Sequence, residues 1–251
     1  MVLFDGVGVA LVTLFDQDGE IDVAATTEHA IRLVGLGVRA VVVAGTTGEA
    51  SALESDERRS LIAAVRSAVD VPVLAGTGAP SARQAVRLTV EAVALGVDGV
   101  LVLSPPFTDD PRPYYERVAE AAGGVPVLAY HWPLVATPGI EVRQLADLPI
   151  AGLKDSTGDV ARLQATLDSF AGAIYTGSQA IVTTAASFGA RGAILGVANA
   201  EPELAVRAWS GDADAQRELQ RIAVRIKRGL VGGLKHHMAS KFGTSPAVRI
   251  A

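Results

Sequence analysis

The chain has 251 residues, 49% of them hydrophobic, with no cysteine and a formal net charge of -5. That length suits one large α/β domain or two small ones and is enough for a well-buried core. Without cysteine there is no disulfide framework, thiolate nucleophile or thiolate metal site, and mild acidity gives no electrostatic reason to expect nucleic acid or an anionic membrane as a partner. Met1 to Asp5 shows no basic leader, and apolar runs such as 38–44 are far too short to cross a bilayer. A soluble cytoplasmic protein is expected.

In chain order, short apolar runs fall at 8–12, 40–44, 71–76, 99–103, 126–130, 150–154, 173–177 and 192–196. They are continuous and not alternating, as strands of a parallel sheet covered on both faces should be. Helical periodicity fills the gaps. Ser55, Ser81 and Asp159 mark helix starts, and Gly37, Gly96 and Gly189 mark helix ends before the next strand. Eight strand–helix units in about 200 residues predict a (β/α)8 TIM barrel over 1–211. A helical extension over 212–251 follows, with helices near 212–230 and 234–242. A doubly wound sheet is the weaker alternative, because Thr13-Leu14-Phe15-Asp16 is not a glycine-rich phosphate turn.

In such a barrel the active site lies at the carboxyl ends of the strands. Lys154 ends the sixth run, and it is the first of only four lysines, with Lys227, Lys235 and Lys241, in a chain that otherwise uses arginine. Arginine cannot shed its proton near neutral pH or form an imine, and lysine can do both. Burial at a barrel mouth disfavours the ammonium form and frees the amine to attack a ketone. Tyr130, ending the fifth run, is a candidate proton carrier. Thr46, Thr47 and Gly48 form a turn whose hydroxyls and backbone N–H groups suit a small carboxylate. Gly177 at the end of the seventh run joins the substrate-binding set. His131 stands at the mouth either as a substrate contact or as packing. His236 and His237 read as helix surface and not as metal ligands, so no metal is expected.

Three ordered motifs, Gly45-Thr46-Thr47-Gly48-Glu49, Tyr130 with Trp132-Pro133, and Gly152-Leu153-Lys154-Asp155-Ser156, resemble the dihydrodipicolinate synthase / N-acetylneuraminate lyase family of pyruvate-dependent class I aldolases. The resemblance runs from about Gly6 to Arg249. It implies that Lys154 forms the imine with no separate cofactor and that Tyr130 shuttles the proton. Thr46 and Thr47 would hold the 2-oxo acid carboxylate, with Thr47 hydrogen-bonded to Tyr130, and Ile194 would wall the pocket. It also implies a homo-oligomer, dimer or tetramer, although relatives continue into a last helix beyond the region of Pro246–Arg249.

Three departures bear on the substrate. Family synthases carry an arginine shortly after the strand-5 proline, where this chain has Leu134-Val135-Ala136-Thr137. Phe107 replaces a tyrosine of the family's proton relay, with Tyr114 and Tyr115 as nearby substitutes or simple packing residues. His131-Trp132 is bulkier than the usual pair. The implied activity is therefore a lyase of the sugar-acid or hydroxy-oxo-acid type. A dehydratase or hydratase using the same lysine, 4-hydroxy-tetrahydrodipicolinate synthase and a non-catalytic carboxylate-binding homologue are the alternatives.

Overall fold

Strands rich in Val, Leu and Ala, with no polar alternation, have no face suited to water, so they pair inside a shell of helices. The computed structural model describes residues 2–226 and 230–250. Eight parallel strands close in sequence order: β1 (Gly6–Ala10), β2 (Ala40–Val43), β3 (Val73–Gly76), β4 (Gly99–Leu103), β5 (Val127–His131), β6 (Gly152–Asp155), β7 (Ala173–Thr176) and β8 (Gly192–Leu195). Between them lie α1 (Val23–Gly35), α2 (Ser55–Ala68), α3 (Ala82–Ala94), α4 (Arg112–Ala122), α5 (Val160–Ser169) and α6 (Val182–Phe188). After β8 come α7 (Pro202–Trp209), α8 (Ala213–Ile226) and α9 (Leu230–Phe242). This is the expected (β/α)8 barrel with additional C-terminal helices.

The structure departs from the expected elements in four places. The crossover from β5 to β6 holds only a 3-10 turn, Val142–Asp147. Pro133, Pro138 and Pro149 crowd that segment, and each removes a backbone donor. Strand β1 begins two residues early, where Gly6 pairs with Gly192. Helix α2 is capped by Glu54, in a reciprocal box with Glu57, so Ser55 sits inside the helix. Helix α9 starts at Leu230 and runs through Gly232 and Gly233, whose poor helix propensity made the sequence pattern begin later. The tail of the expected 212–230 helix covers 227–229, outside the described residues.

Inside the barrel, Val42, Leu74, Leu101, Leu128, Tyr175 and Ile194 belong to one buried cluster. Each such side chain contributes about 1.5–3 kcal/mol of burial. Phe4 seals the amino end: its ring stacks on Tyr175 at 4.6 Å, and the Tyr175 hydroxyl donates to the Phe4 carbonyl at 3.0 Å. The floor is thus apolar and closed, and the opening lies at the carboxyl ends of the strands. Among the described residues no helix is long and apolar enough to cross a membrane.

Candidate active site

Strand register places the site. Tyr130 pairs with Lys154 across β5 and β6, and Lys154 with Tyr175 across β6 and β7. Side chains alternate along a strand, so Tyr130 and Lys154 point inward while His131 and Asp155 point out. Above the apolar floor is a cavity of about 390 Å³, which Thr46, Thr47, Arg58, Ser104, Tyr130 and Lys154 line. That volume suits a small-molecule substrate.

Lys154 is 5% exposed. Burial with no neighbouring carboxylate holds its pKa down to about 7, so a large share of the amine is unprotonated near neutrality. Its Nζ lies 4.2 Å from the centroid of the Tyr130 ring. Burial also raises the Tyr130 pKa, while Ser156 Oγ, donating to the phenol oxygen at 3.3 Å, partly opposes the shift. The phenol therefore stays protonated and can act as a donor. Trp132 stacks on it with ring centroids 6.0 Å apart, fixing the ring plane.

The strand-2 turn is more closed than its sequence suggested. Gly48 N–H donates to the Gly45 carbonyl at 3.0 Å and Glu49 N–H to the Thr46 carbonyl at 3.1 Å. Gly48 itself is buried, with its carbonyl accepting from Thr13 Oγ1 at 2.7 Å. Its amide is spent on the turn, so Gly48 does not offer the N–H expected of it. Thr46 and Thr47 face the cavity. Thr47 Oγ1 lies toward Gly196, and among the described residues it makes no hydrogen bond to Tyr130; Ser156 holds that place.

Other expected contacts resolve differently. Gly177 packs against the imine candidate: a Cβ there would lie 2.9 Å from Lys154 Cε and would overlap Ser156 Oγ. Ile194 is fully buried in the barrel interior with Tyr130, below the cavity and not on its wall. His131 is turned away, because it sits one residue out of phase with Tyr130. Its Nδ1 accepts Ile140 N–H at 2.9 Å, and burial, helped by Arg162, lowers its pKa to about 4. Arg162 in turn bonds Asp155 at 2.6 Å and the Ile140 carbonyl at 2.7 Å, so this neutral histidine latches the loops after β5 and β6. Tyr114 and Tyr115 spend their hydroxyls on the Ala79 and Val102 carbonyls, and Phe107 is 88% exposed. None of these three replaces a relay tyrosine within this chain.

The sequence reading missed a second group of residues. Glu49, in a left-handed backbone conformation, is fully buried and bonds Lys235 Nζ at 2.6 Å. Its other oxygen accepts the N–H groups of Arg249 and Ile250, both at 2.8 Å. Arg249 adds a two-point bond to Glu57 at 2.6 and 2.7 Å. These contacts strap 247–250 across the mouth and bring Ile250 onto the cavity wall. His237 bonds Glu201 at 2.8 Å, a carboxylate partner that its sequence neighbourhood did not show. Among the described residues no three His, Asp or Glu side chains group as a metal site.

The model of the "Dihydrodipicolinate synthetase family" matches residues 3–232. An uncharacterized DapA-like lyase of Halobacterium salinarum is 35% identical over 243 residues, covering 91% of this chain and 80% of that protein. A 4-hydroxy-tetrahydrodipicolinate synthase of Natronomonas pharaonis is 34% identical over 236 residues, covering 86% and 79%. The crystal structure of YagE from E. coli K12, a prophage protein of the dihydrodipicolinic acid synthase family in complex with pyruvate, superposes with a TM-score of 0.92 at 25% identity, covering 100% and 93%.

Proposed function

Because the chain belongs to the dihydrodipicolinate synthetase family and is a lyase, we propose that it is a Schiff-base aldolase or lyase acting on pyruvate or on a 2-oxo acid that yields pyruvate. The observation that carries this reading is the buried Lys154 amine, unpaired among the described residues and held near neutrality directly over the Tyr130 ring. A lysine in this environment is both deprotonated and shielded from water, the two conditions for attack on a ketone. A pyruvate complex of the related YagE barrel supports the same substrate class.

In the proposed reaction Lys154 Nζ adds to the ketone carbon, and Tyr130 delivers a proton to the departing hydroxyl as water leaves and the iminium forms. For cleavage, the Tyr130 phenolate left by that step regains its proton from a hydroxyl on the substrate's far side, the carbon–carbon bond breaks to release an aldehyde or ketone, and its electron pair flows into the iminium to give an enamine. Tyr130 then returns a proton to that carbon, and water hydrolyses the imine to release pyruvate. Thr46 and Thr47 hold the carboxylate, and the covalent imine takes the place of a cofactor. The apolar Val135 and Ala136 line the cavity where family synthases carry an arginine, which supports a hydroxy-oxo-acid or sugar-acid lyase over a dihydrodipicolinate synthase. Phe107, Leu134 and Val135, all exposed apolar residues beside the mouth, support a homo-oligomer, and the reading carries a cytoplasmic location with it. The test is borohydride reduction in the presence of pyruvate, read by peptide mass spectrometry. A stable adduct on Lys154 is expected, and its absence from folded protein would sink the proposal.

A further inference from the structure

The cavity holds a second cation that the imine chemistry does not use. Arg58, in the first turn of α2, lines the cavity and is 8% exposed. Two backbone carbonyls fix its guanidinium, Ala50 at 3.3 Å and Gly76 at 2.5 Å. Carbonyl dipoles orient a guanidinium but do not neutralise it. Two other largely buried arginines each have a carboxylate at 2.6 Å, Arg162 on Asp155 and Arg249 on Glu57. Among the described residues Arg58 pairs with none; only the more distant charges of Glu91 and Arg87 act on it, with opposite sign. A buried charge without a counter-ion is strongly unfavourable. An anion entering the cavity would relieve that cost.

A second, independent feature points the same way. Ser104, just past the end of β4, lines the cavity and is 2% exposed, and its Oγ has no hydrogen-bond partner among the described residues. Most buried hydroxyls are hydrogen-bonded, and Thr244 Oγ1, the other unpartnered hydroxyl among the described residues, does not line the cavity. Gly76 ends β3 and Lys154 stands on β6, so Arg58 and the amine face each other across the barrel. Eight strands about 4.8 Å apart and tilted about 36° close into a ring about 15 Å across. Inward-reaching side chains on both sides leave a gap that one small molecule can bridge.

We propose that Arg58, assisted by Ser104, binds a carboxylate at the far end of the substrate, so that the protein acts on 2-oxo acids carrying a second carboxylate remote from the reacting ketone. The planar guanidinium is suited to a two-point, charge-assisted contact. It is held at the ends of β2 and β3, separate from the loop after β5 where this chain has Val135 and Ala136. This assignment rests on the imine reading above, and its test separates the two.

The experiment measures half-saturation of borohydride trapping at Lys154 with the full chain. The probes are 2-oxoglutarate, 2-oxoadipate and 2-oxopimelate, each against the 2-oxo monoacid of equal carbon number, with pyruvate as reference. The expected result is at least a tenfold lower half-saturation for one diacid than for its monoacid. Arg58→Gln should bring that ratio close to one, and Arg58→Lys should restore part of it. Equal half-saturation for every pair in the unmodified protein overturns the proposal, and so does a ratio that survives Arg58→Gln. If Arg58→Gln does not fold, the diacid-to-monoacid ratio of the unmodified protein still decides. Glutarate added with pyruvate provides the other arm: an Arg58-dependent change in pyruvate trapping, with no diacid advantage, assigns the site to a separate carboxylate and also overturns it. Failure of pyruvate itself to trap on Lys154 strikes the imine reading instead.

Discussion

Replacing Lys154 by Met should abolish imine formation and at the same time stabilise the fold. Burial lowers the lysine pKa from 10.5 to about 7, so the folded state binds the proton more weakly than the unfolded chain. Between those two values the unfolded lysine is protonated and the folded one is not. Stability of the unmodified protein must therefore rise with pH across that window, and below pH 7 the full cost of burying the ammonium is present. A shift of that size corresponds to about 4 kcal/mol at pH 7. Methionine has a similar length and no charge to bury, so Lys154→Met removes the cost. Urea denaturation at pH 6 and pH 10 should show the variant more stable by several kcal/mol at pH 6, with the gap shrinking by about 4 kcal/mol at pH 10. A variant less stable than the parent at pH 6, or a gap independent of pH, would refute the claim that Lys154 is held in a depressed state.

Other expectations follow from the same contacts. Glu49→Gln or Lys235→Met alone leaves one fully buried charge unpaired, and each should lose about 3–5 kcal/mol in denaturant unfolding; the double variant should recover much of that loss, whereas additive losses would mean that the two do not act as a pair. Gly177→Ala puts a methyl group against Lys154 Cε and Ser156 Oγ. It should cut the trapping rate with pyruvate at least tenfold while far-ultraviolet circular dichroism stays unchanged, and an unimpaired rate would show that the amine does not depend on that gap. Leu134→Glu, at an 89% exposed apolar position on the loop whose Thr137 carbonyl accepts the Phe107 N–H, should lower the molar mass in light scattering if this face joins copies of the chain; an unchanged mass would place the oligomer contact elsewhere.

The barrel was legible because parallel strands covered on both faces must read as unbroken apolar runs, and eight of them separated by helical period leave few architectures. Lys154 was legible for a different reason: in a chain that favours arginine, a lone lysine at a strand end needs an explanation. What stayed hidden depends on phase and on distance. His131 lies one residue from Tyr130, and that single step turns it from the cavity to the outer latch with Ile140 and Arg162. The amides of the Thr46–Thr47 turn looked available until the backbone showed two of its N–H groups bonded within it. Glu49 and Lys235 are 186 residues apart and meet only because α9 brings its lysine to the strand-2 turn, where the chain after α9 adds the N–H groups of Arg249 and Ile250. Arg58 reads in sequence as one of several charges on a surface helix, and nothing short of the fold shows that it is buried against Gly76 without a counter-ion.

The central claim is that Lys154 reacts because burial, and not a charged neighbour, deprotonates it near neutral pH. The most direct measurement is the pH dependence of the initial rate of borohydride trapping with pyruvate, with the adduct located by mass spectrometry. The account predicts modification at Lys154, with a rate that rises through an inflection near pH 7, set by the lowered pKa. An inflection near that of an ordinary lysine, or an adduct on another residue, would contradict it.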